Sequence, residues 1–221
     1  MNIEPVAYFH SPLKEKFGIP RQAGLVPELV GKVVLAPGYA REEALRGLEE
    51  FDYIWLVWGF SMNGQGKSLT VRPPRLGGNT RVGVFASRSP FRPNGLGLSS
   101  VRVESVDPVA CTITVSGADL ADGTPIYDIK PYVEYADSHP GVRSGFVDSN
   151  EWTALEVSVP EELESLLPAD EMLALKGVLS QDPRPQYHDD PLKEYGLAFG
   201  TWNVRFKVEE GVVSVLSISR Q

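Results

Sequence analysis

Short runs of β-branched and aromatic residues alternate with glycine- and proline-containing turns along most of the chain. Runs of this composition are typical of strands. The sequence predicts them at residues 6–10, 32–35, 53–60, 81–87, 101–106, 112–116 and 125–135. The run at 53–60 is almost uninterrupted in its hydrophobicity, which predicts a strand buried on both faces. Strands this short, joined by turns and with few helices between them, predict a barrel or a sandwich.

Helical periodicity is confined to three segments. The sequence predicts helices at residues 42–51, 161–167 and 169–181. In the first, apolar residues recur at helical spacing and two glutamates occupy the first turn, where they favour a helix. Pro168 separates the other two, because proline cannot continue a helix.

A polar, glycine-containing segment at residues 138–149 predicts a domain boundary. We therefore divide the chain into a β-barrel domain, residues 1–149, and a small α+β domain, residues 150–221. The second domain combines a predicted strand, the last two helices, a loop with three prolines and a final hairpin. These lie at residues 154–159, 161–181, 182–191, and 201–208 with 212–218.

Composition excludes several classes of protein. The chain has 221 residues, of which 42% are hydrophobic, enough for an ordinary packed core. Its single cysteine, Cys111, excludes an internal disulfide and a cysteine-based zinc site. The three histidines follow no metal-ligand spacing, so we predict no metal. The N-terminus lacks the features of a signal peptide and no apolar run is long enough to span a membrane, so we expect a cytoplasmic protein.

Charge is distributed unevenly along the sequence. Between Asp52 and Glu104 there is no acidic residue, but there are seven lysines and arginines. The chain's net charge of −8, with +7 in this stretch, leaves −15 for the rest. A polyanion site on an acidic body explains this pattern. Chance segregation, or contact with an acidic patch on a partner subunit, explains it as well.

Two rigid loops carry the arginines. In residues 72–75, RPPR, the prolines restrict the backbone, and a second rigid loop spans residues 87–94. Rigid loops that present arginine suit bidentate binding of phosphate or carboxylate. The nearby Gly95-Leu96-Gly97 lacks the third glycine of a dinucleotide-binding fingerprint, which argues against a Rossmann fold.

Carboxylates follow in residues 119–132. Asp119 and Asp122 belong to a predicted turn, where aspartate often bonds to local backbone, although a ligand-binding role is the alternative. Asp128, Lys130 and Tyr132 alternate, so on a strand they share one face. That face is either a solvated surface or a site in which the aspartate and the lysine adjust each other's pKa.

Three long stretches give the chain a resemblance to a known family. They are SPLKEKFGIPRQAGL at 11–25, TVRPPRLGGNTRVGVFASRSPFRPNGLGLS at 70–99 and DLADGTPIYDIKPYVEYADS at 119–138. With QDPRPQY and WNVRF near the C-terminus, nearly the whole chain resembles the TrmO family, also described as TsaA-like or YaeB-like proteins.

The resemblance implies a function and an architecture. Family members are S-adenosylmethionine-dependent methyltransferases that modify N6 of threonylcarbamoyladenosine, the base just 3′ of the anticodon in threonine tRNAs. The cofactor binds to a small all-β barrel. Members are homodimers with cofactor sites near the subunit interface, and bacterial members carry an extra C-terminal domain.

Matching residues to the family pattern gives a set of expected cofactor contacts. They are Gln22, Ala23, Gly24, Asn63, Gly64, Arg88, Leu98, Asp119, Leu120, Ala121 and Asp122. An aspartate in this turn would accept a hydrogen bond from the adenine amino group or the methionine ammonium. One departure concerns the family's RPNP loop, in which this chain has Gly95 in place of the last proline, so we expect a more flexible loop.

Roles for the substrate and for catalysis follow as hypotheses. The tRNA contacts are expected at Arg72, Arg75, Arg81, Phe91, Arg92 and Asn94. Arg92 and Arg88 suit the threonyl carboxylate, and Phe91 suits base stacking. Asp128 is the candidate general base, with Lys130 and Tyr132 orienting it or the substrate. An RNA-binding barrel without catalysis and a module that senses S-adenosylmethionine are the alternatives.

Overall fold

Twelve strands and three short helices make up the described part of a computed structural model. It describes residues 2–64, 66–77, 79–149, 153–185, 190 and 192–221. The strands, numbered in chain order, are β1 Ala7–His10, β2 Val30–Leu35, β3 Tyr53–Gly59, β4 Thr70–Val71, β5 Val82–Gly83, β6 Leu96–Asp107, β7 Thr112–Ser116, β8 Thr124–Pro131, β9 Glu156–Ser158, β10 Tyr195–Phe199, β11 Trp202–Glu209 and β12 Val212–Arg220. The helices are α1 Glu134–Asp137, α2 Glu161–Glu164 and α3 Ala169–Ser180.

Six antiparallel strands form a closed barrel in the order β1-β2-β7-β6-β3-β8. The barrel with a small α+β unit after it confirms the fold class predicted from the sequence. The strands predicted at residues 101–106 and 112–116 pair as the hairpin of β6 and β7, and in its turn the Asp107 carboxylate accepts a hydrogen bond from the Ala110 N–H at 2.9 Å.

Strand β3 shows how the barrel separates its two faces. Ile54 and Leu56 point into the core and are fully buried, whereas Tyr53 is 44% exposed. The expectation that residues 53–60 are buried on both faces was therefore wrong. In a barrel only alternate positions face the core, and aromatic residues on the outer face made the run look uniformly buried.

The predicted helix at residues 42–51 was also wrong. The segment forms two single turns of 3₁₀ helix, Glu42–Ala44 and Leu48–Glu50. Gly47 precedes the second turn with φ +84, a left-handed conformation that a continuous α-helix does not contain. The apolar periodicity was real, because Leu45 is buried in the barrel core and Leu48 packs against it.

The predicted strand at residues 81–87 is shortened to β5. Pairing stops there because its partner β4 has only two residues. The chain then turns through a 3₁₀ segment, Val84–Ala86, in which Val84 is buried and its N–H donates to the Leu69 carbonyl at 2.9 Å. In the same way, the extended segment predicted at 125–135 ends as β8 at Pro131 and α1 follows.

The C-terminal unit is a four-stranded sheet, β10-β11-β12-β9, packed against α3. The two helices predicted on either side of Pro168 are present as α2 and α3, and the hairpin is present as β11 and β12. Half of the predicted proline-rich loop, residues 186–189 and 191, lies outside the described residues. Among the described residues, no helix has the length and apolar character needed to cross a bilayer.

Candidate functional site

Two segments far apart in sequence meet at one end of the barrel. The Gly24 N–H donates to the Gly117 carbonyl at 2.8 Å, which joins the loop between β1 and β2 to the turn after β7. Gly117 has φ +74, and a Cβ there would lie 3.5 Å from the Gly24 Cα. The left-handed turn therefore favours glycine at position 117, whereas the contact with Gly24 would leave room for a Cβ.

The Asp119 carboxyl accepts hydrogen bonds from a side chain and from the backbone at this end of the barrel. The Ser99 hydroxyl donates to its Oδ1 at 2.5 Å, and the Trp58 indole N–H donates to the Ser99 Oγ at 2.9 Å. Burial raises the pKa of Asp119, while hydrogen bonds from Ser99 and from backbone N–H groups, including that of Ala23, and the charge of Arg88 oppose the rise. A partly desolvated carboxyl beside a cation is a typical ligand-binding arrangement.

Arg88 links a third loop to the same cluster. Its guanidinium donates to the Gln22 side-chain oxygen, and the Gln22 amide donates in turn to the Arg21 carbonyl at 2.6 Å. Arg88 is an exposed residue, and its guanidinium has five N–H donors. We call Gln22, Ala23, Gly24, Arg88, Ser99 and Asp119 the Asp119 cluster.

The other predicted residues of the Asp119 turn have structural partners. Leu120 is 1% exposed and belongs to the barrel core, and Ala121 is also buried. The Asp122 carboxylate accepts a hydrogen bond from the Ser11 N–H at 3.1 Å and lies 3.3 Å from the His10 imidazole. These three residues fix the turn that presents Asp119.

Two predicted cofactor contacts lie in the loop after β3. Asn63 is half-buried and its N–H donates to the Phe60 carbonyl at 3.5 Å, while Gly64 is exposed. Within the described part of the chain, neither residue shares a hydrogen bond with the Asp119 cluster.

The outer face of the barrel carries the predicted catalytic residues. Asp128 and Leu98 are the cross-strand neighbours of Val57, and Leu98 is 57% exposed. Lys130 forms an exposed ion pair with Asp128, with 3.3 Å between Nζ and Oδ2. This face is opposite to the inner face on which Trp58 and Ser99 lie.

Tyr132 belongs to an aromatic group on the same outer face. Its ring centroid is 5.6 Å from that of Trp55 and 6.2 Å from that of Tyr53. The Asp137 carboxylate accepts the Trp55 indole N–H at 3.1 Å and the Val133 N–H at 2.8 Å. Those two hydrogen bonds, the backbone one first, lower the pKa of Asp137.

The arginine-rich loops are largely exposed, and one of them contributes Arg88 to the Asp119 cluster. Arg72, Arg81 and Asn94 are exposed, and Arg81 donates to the Thr70 hydroxyl at 2.8 Å. Arg92 is half-buried and donates to the Ser87 carbonyl at 3.1 Å, so part of its guanidinium holds its own loop together. The side chain of Arg75 lies outside the described part of the structure.

Exposed apolar side chains stand among these arginines. Phe91, which the sequence analysis selected, is 53% exposed. Phe85 and Leu69, which it did not select, are 77% and 71% exposed. Apolar side chains beside cations suit a ligand that is both aromatic and anionic.

Sequence reasoning also missed Ser99 and Trp58. Both belong to strands in which alternate residues face the core, so the available signal was a serine at an inward position of β6. A buried hydroxyl needs a partner, and here that partner is Asp119. Among the described residues, no group of three or more histidines, cysteines and acids is arranged to hold a metal ion.

Comparison with known proteins identifies the family. The family model for the tRNA-methyltransferase O N-terminal domain matches residues 8–138, and the model for the TrmO C-terminal domain matches residues 153–221. The chain belongs to the TrmO family. This confirms the resemblance found in the sequence.

Relatives of known name cover nearly the whole chain. The tRNA (adenine(37)-N6)-methyltransferase of Escherichia coli (strain K12) is 38% identical over 97% of this chain and 96% of its own. A Pseudomonas aeruginosa protein, provisionally named as the S-adenosylmethionine-dependent methyltransferase RcsF, is 41% identical over 89% of this chain and 87% of its own. The crystal structure of a Pseudomonas aeruginosa TrmO superposes with a TM-score of 0.82 at 33% identity, over 99% of this chain and 97% of that one.

Proposed function

We propose that this protein transfers a methyl group from S-adenosylmethionine to N6 of threonylcarbamoyladenosine beside the anticodon of threonine tRNAs. Membership of the TrmO family and the names of the relatives support methylation of adenine N6 in tRNA. The structural observation that carries the proposal is the Asp119 cluster, in which three distant segments place a carboxylate, an amide and a guanidinium together.

The Asp119 cluster suits the methyl donor chemically. The donor has an adenine amino group, an ammonium and a carboxylate. Asp119 would accept a hydrogen bond from the amino group or the ammonium, and Arg88 would bind the carboxylate. A cation or N–H donor at Asp119 would also favour the ionised carboxylate that burial disfavours. When bound, the donor supplies an electrophilic methyl group on a sulfonium.

The arginine-rich surface suits the RNA. Arg72 and Arg81, with Arg75 from the same segment, would hold phosphates of the anticodon loop, and Phe91 would stack on a splayed base. Asn94 would donate to a base edge or a phosphate. Arg92 would bind the threonyl carboxylate through the part of its guanidinium that does not hold the Ser87 carbonyl.

The outer face would supply the base. N6 of the substrate also bears a carbonyl, so its lone pair is delocalised and loss of the N–H proton helps the attack. Asp128 is the candidate base, with Lys130 3.3 Å away to orient it and Tyr132 further along the same face.

A homodimer would explain why the candidate base, Asp128, and the Asp119 cluster lie on different faces of the barrel. Asp128 lies on the outer face of the barrel, whereas the partners of Asp119 lie on the inner face. Tyr53 and Leu98 expose 44% and 57% of their surfaces there, which favours contact with a second copy. A second copy packed on this face would bring Asp128 of one protomer to the donor site of the other. Size-exclusion chromatography with light scattering tests this, and a monomer at assay concentrations rejects it.

The proposal also includes two domains and a cytoplasmic location. We place the barrel domain at residues 1–149 and the C-terminal domain at residues 150–221, in a protein that acts in the cytoplasm, where tRNA is found.

Labelled-methyl transfer tests the function. Purified protein, labelled S-adenosylmethionine and threonine tRNA with or without the threonylcarbamoyl group are incubated, and label in the tRNA is counted. Transfer to the modified tRNA alone is expected. Equal transfer to both would reject the modified base as the substrate.

Thermal unfolding separates the alternatives. Donor at about 100 times its Kd adds about 2.7 kcal/mol of stability to a protein that binds it. A shift with the donor excludes an RNA-binding barrel that has no donor site. A protein that shows the shift without methyl transfer is a sensor.

A further inference from the structure

The loop between β1 and β2 packs its buried apolar side chains into the C-terminal core, while its backbone hydrogen-bonds to Gly117 and Asp122 of the barrel domain. Leu13, Val26 and Leu29 are at most 2% exposed, and all three belong to the cluster formed by α3 and the C-terminal sheet. The Gly200 N–H, in the turn after β10, donates to the Pro12 carbonyl at 2.7 Å. The segment therefore belongs to the first domain by sequence and to the second by packing.

Phe17 is the aromatic anchor of this segment. Its ring stacks against Tyr195 of β10 and Phe206 of β11, with centroid distances of 6.5 and 6.3 Å. The rings of Tyr195 and Phe206 are themselves 5.6 Å apart. Phe17 thus completes a three-ring group across two strands of the C-terminal sheet.

Two glycines show how closely the loop packs against the C-terminal sheet and α3. A Cβ at Gly18 would lie 2.4 Å from the Leu197 side chain on β10. A Cβ at Gly177 of α3 would lie 2.6 Å from Cγ1 of Val26. The loop therefore touches the sheet on one side and the helix on the other, and neither contact leaves room for a methyl group.

The donor-binding residues lie between these two contacts along the chain. Gln22 meets Arg88, the Ala23 N–H reaches Asp119, and the Gly24 N–H donates to Gly117. Residues 18–29 contain no strand or helix, so tertiary contacts define their conformation. On the barrel side these contacts include the Gly117 N–H, which donates to the Leu29 carbonyl at 3.0 Å.

We propose that the C-terminal domain positions the donor site, with Phe17 and the Val26–Gly177 contact as the positioning residues. This inference rests on the proposed function, because it takes the Asp119 cluster as the donor site. Movement of the loop away from the C-terminal core would separate Gln22 and Ala23 from Arg88 and Asp119. The C-terminal domain then acts on methyl transfer without touching the donor.

The test measures the Kd of S-adenosylmethionine by calorimetry in four full-length variants. Phe17→Ala removes the anchor, and Phe17→Tyr keeps its ring. Gly177→Ala adds a methyl group against Val26 at a helix position where alanine is otherwise the better residue. Val213→Ala is the control. It shortens a buried side chain of the same core on β12, a strand that is not adjacent to β10.

Phe17→Ala and Gly177→Ala are expected to loosen the packing of the loop against the C-terminal core. The Kd should then rise about tenfold, because only about a tenth of the molecules would have the binding conformation. Phe17→Tyr and Val213→Ala are expected to stay within about twofold of the unmodified protein. Hydrogen exchange without donor gives a second reading. Peptides that contain Gly24 should exchange faster in Phe17→Ala than in Val213→Ala.

The outcomes distinguish failure of the proposed function from failure of the positioning role. If the unmodified protein does not bind the donor, the proposed function and this inference fall together. If it binds, and Phe17→Ala matches Val213→Ala in both Kd and exchange, the positioning role is rejected while the donor site stands. Unfolding of Phe17→Ala would leave Gly177→Ala to decide by the same two measurements.

Discussion

The Ser99 hydroxyl and the Asp119 carboxyl are joined by a hydrogen bond of 2.5 Å across the end of the barrel. Ser99 is 2% exposed and accepts the Trp58 indole N–H at 2.9 Å, so its own proton is directed to Asp119. A rigid strand of the barrel therefore orients a carboxyl that lies in a loop. Such support is what a ligand-binding group in a loop needs to keep one geometry.

Ser99→Ala is expected to weaken donor binding and to shift its pH dependence. The hydrogen bond from Ser99 lowers the pKa of Asp119, so its removal moves that pKa, which burial already raises, further up. The acid limb of donor affinity should then move to higher pH, and the Kd should rise about tenfold, as for loss of one hydrogen bond to a charged group. Calorimetry across a pH series measures both.

Ser100→Ala is the matched control for Ser99→Ala. Ser100 is the next residue of β6 and pairs with Trp55 on the outer face. Its affinity profile should overlay that of the unmodified protein. An unchanged acid limb in Ser99→Ala would show that Ser99 does not tune Asp119.

Asp119→Asn is expected to stabilise the free protein while it weakens donor binding. Burial raises the folded-state pKa of Asp119 above 3.8, so the folded state binds the proton more tightly than the unfolded state. The resulting stability is present below pH 3.8 and is lost as pH rises through the folded pKa. Asparagine does not titrate, so its advantage in Tm over the unmodified protein should grow from acid to neutral pH.

The same variant, Asp119→Asn, is expected to lose affinity for the donor although it gains stability. Loss of a charged hydrogen bond to the donor should raise the Kd about tenfold to a hundredfold. Thermal unfolding from acid to neutral pH and calorimetry at neutral pH measure the two effects. A Tm advantage that shrinks toward neutral pH would contradict the raised pKa.

Gly95→Pro is expected to destabilise the arginine loop. Gly95 has φ +59, which proline cannot adopt, and its N–H donates to the Arg92 carbonyl at 3.2 Å. A loss of about 1–3 kcal/mol in the free energy of unfolding is expected, measured by urea denaturation. Gly95→Asn keeps the N–H and tolerates the left-handed region, so its loss should be smaller. Equal losses would show that the turn does not depend on the backbone at Gly95.

The barrel was predictable because its strands carry their own signals. Inward positions such as Ile113 and Val115 alternate with polar ones on β7, and turns such as that at Asp107 separate the strands. The helix predicted around Leu45 failed because one glycine, Gly47, adopts a left-handed conformation that periodicity does not encode. The short strand β5 was overestimated because strand length depends on the partner strand, which lies elsewhere in the sequence.

The candidate site was only partly predictable. Motif matching selected Gln22, Arg88 and Asp119, but their mutual contacts depend on the fold. Ser99 was missed because its role appears only when β6 and the turn after β7 are brought together. The seating of Phe17 in the C-terminal core was hidden for the same reason, since the rings it meets lie at the other end of the chain.

Asp128→Asn tests the proposed general base. Asp128 and Lys130 are 50% and 65% exposed, so their ion pair contributes only about 0–1 kcal/mol to stability, and the variant should fold normally. If Asp128 removes the N6 proton, single-turnover methylation with saturating donor should slow about 10²–10⁴-fold, while the donor Kd stays unchanged. Rapid quench with labelled donor and modified tRNA measures the rate.

Glu209→Gln is the matched control for that variant. Glu209 is an exposed carboxylate 3.4 Å from Lys207, in a sheet that carries none of the proposed site residues. It reproduces the loss of one negative charge and one surface ion pair, and its single-turnover rate should match that of the unmodified protein. A near-normal rate in Asp128→Asn would remove the base from the mechanism. Methyl transfer would then depend on alignment of N6 with the donor by the Asp119 cluster and the arginine loops.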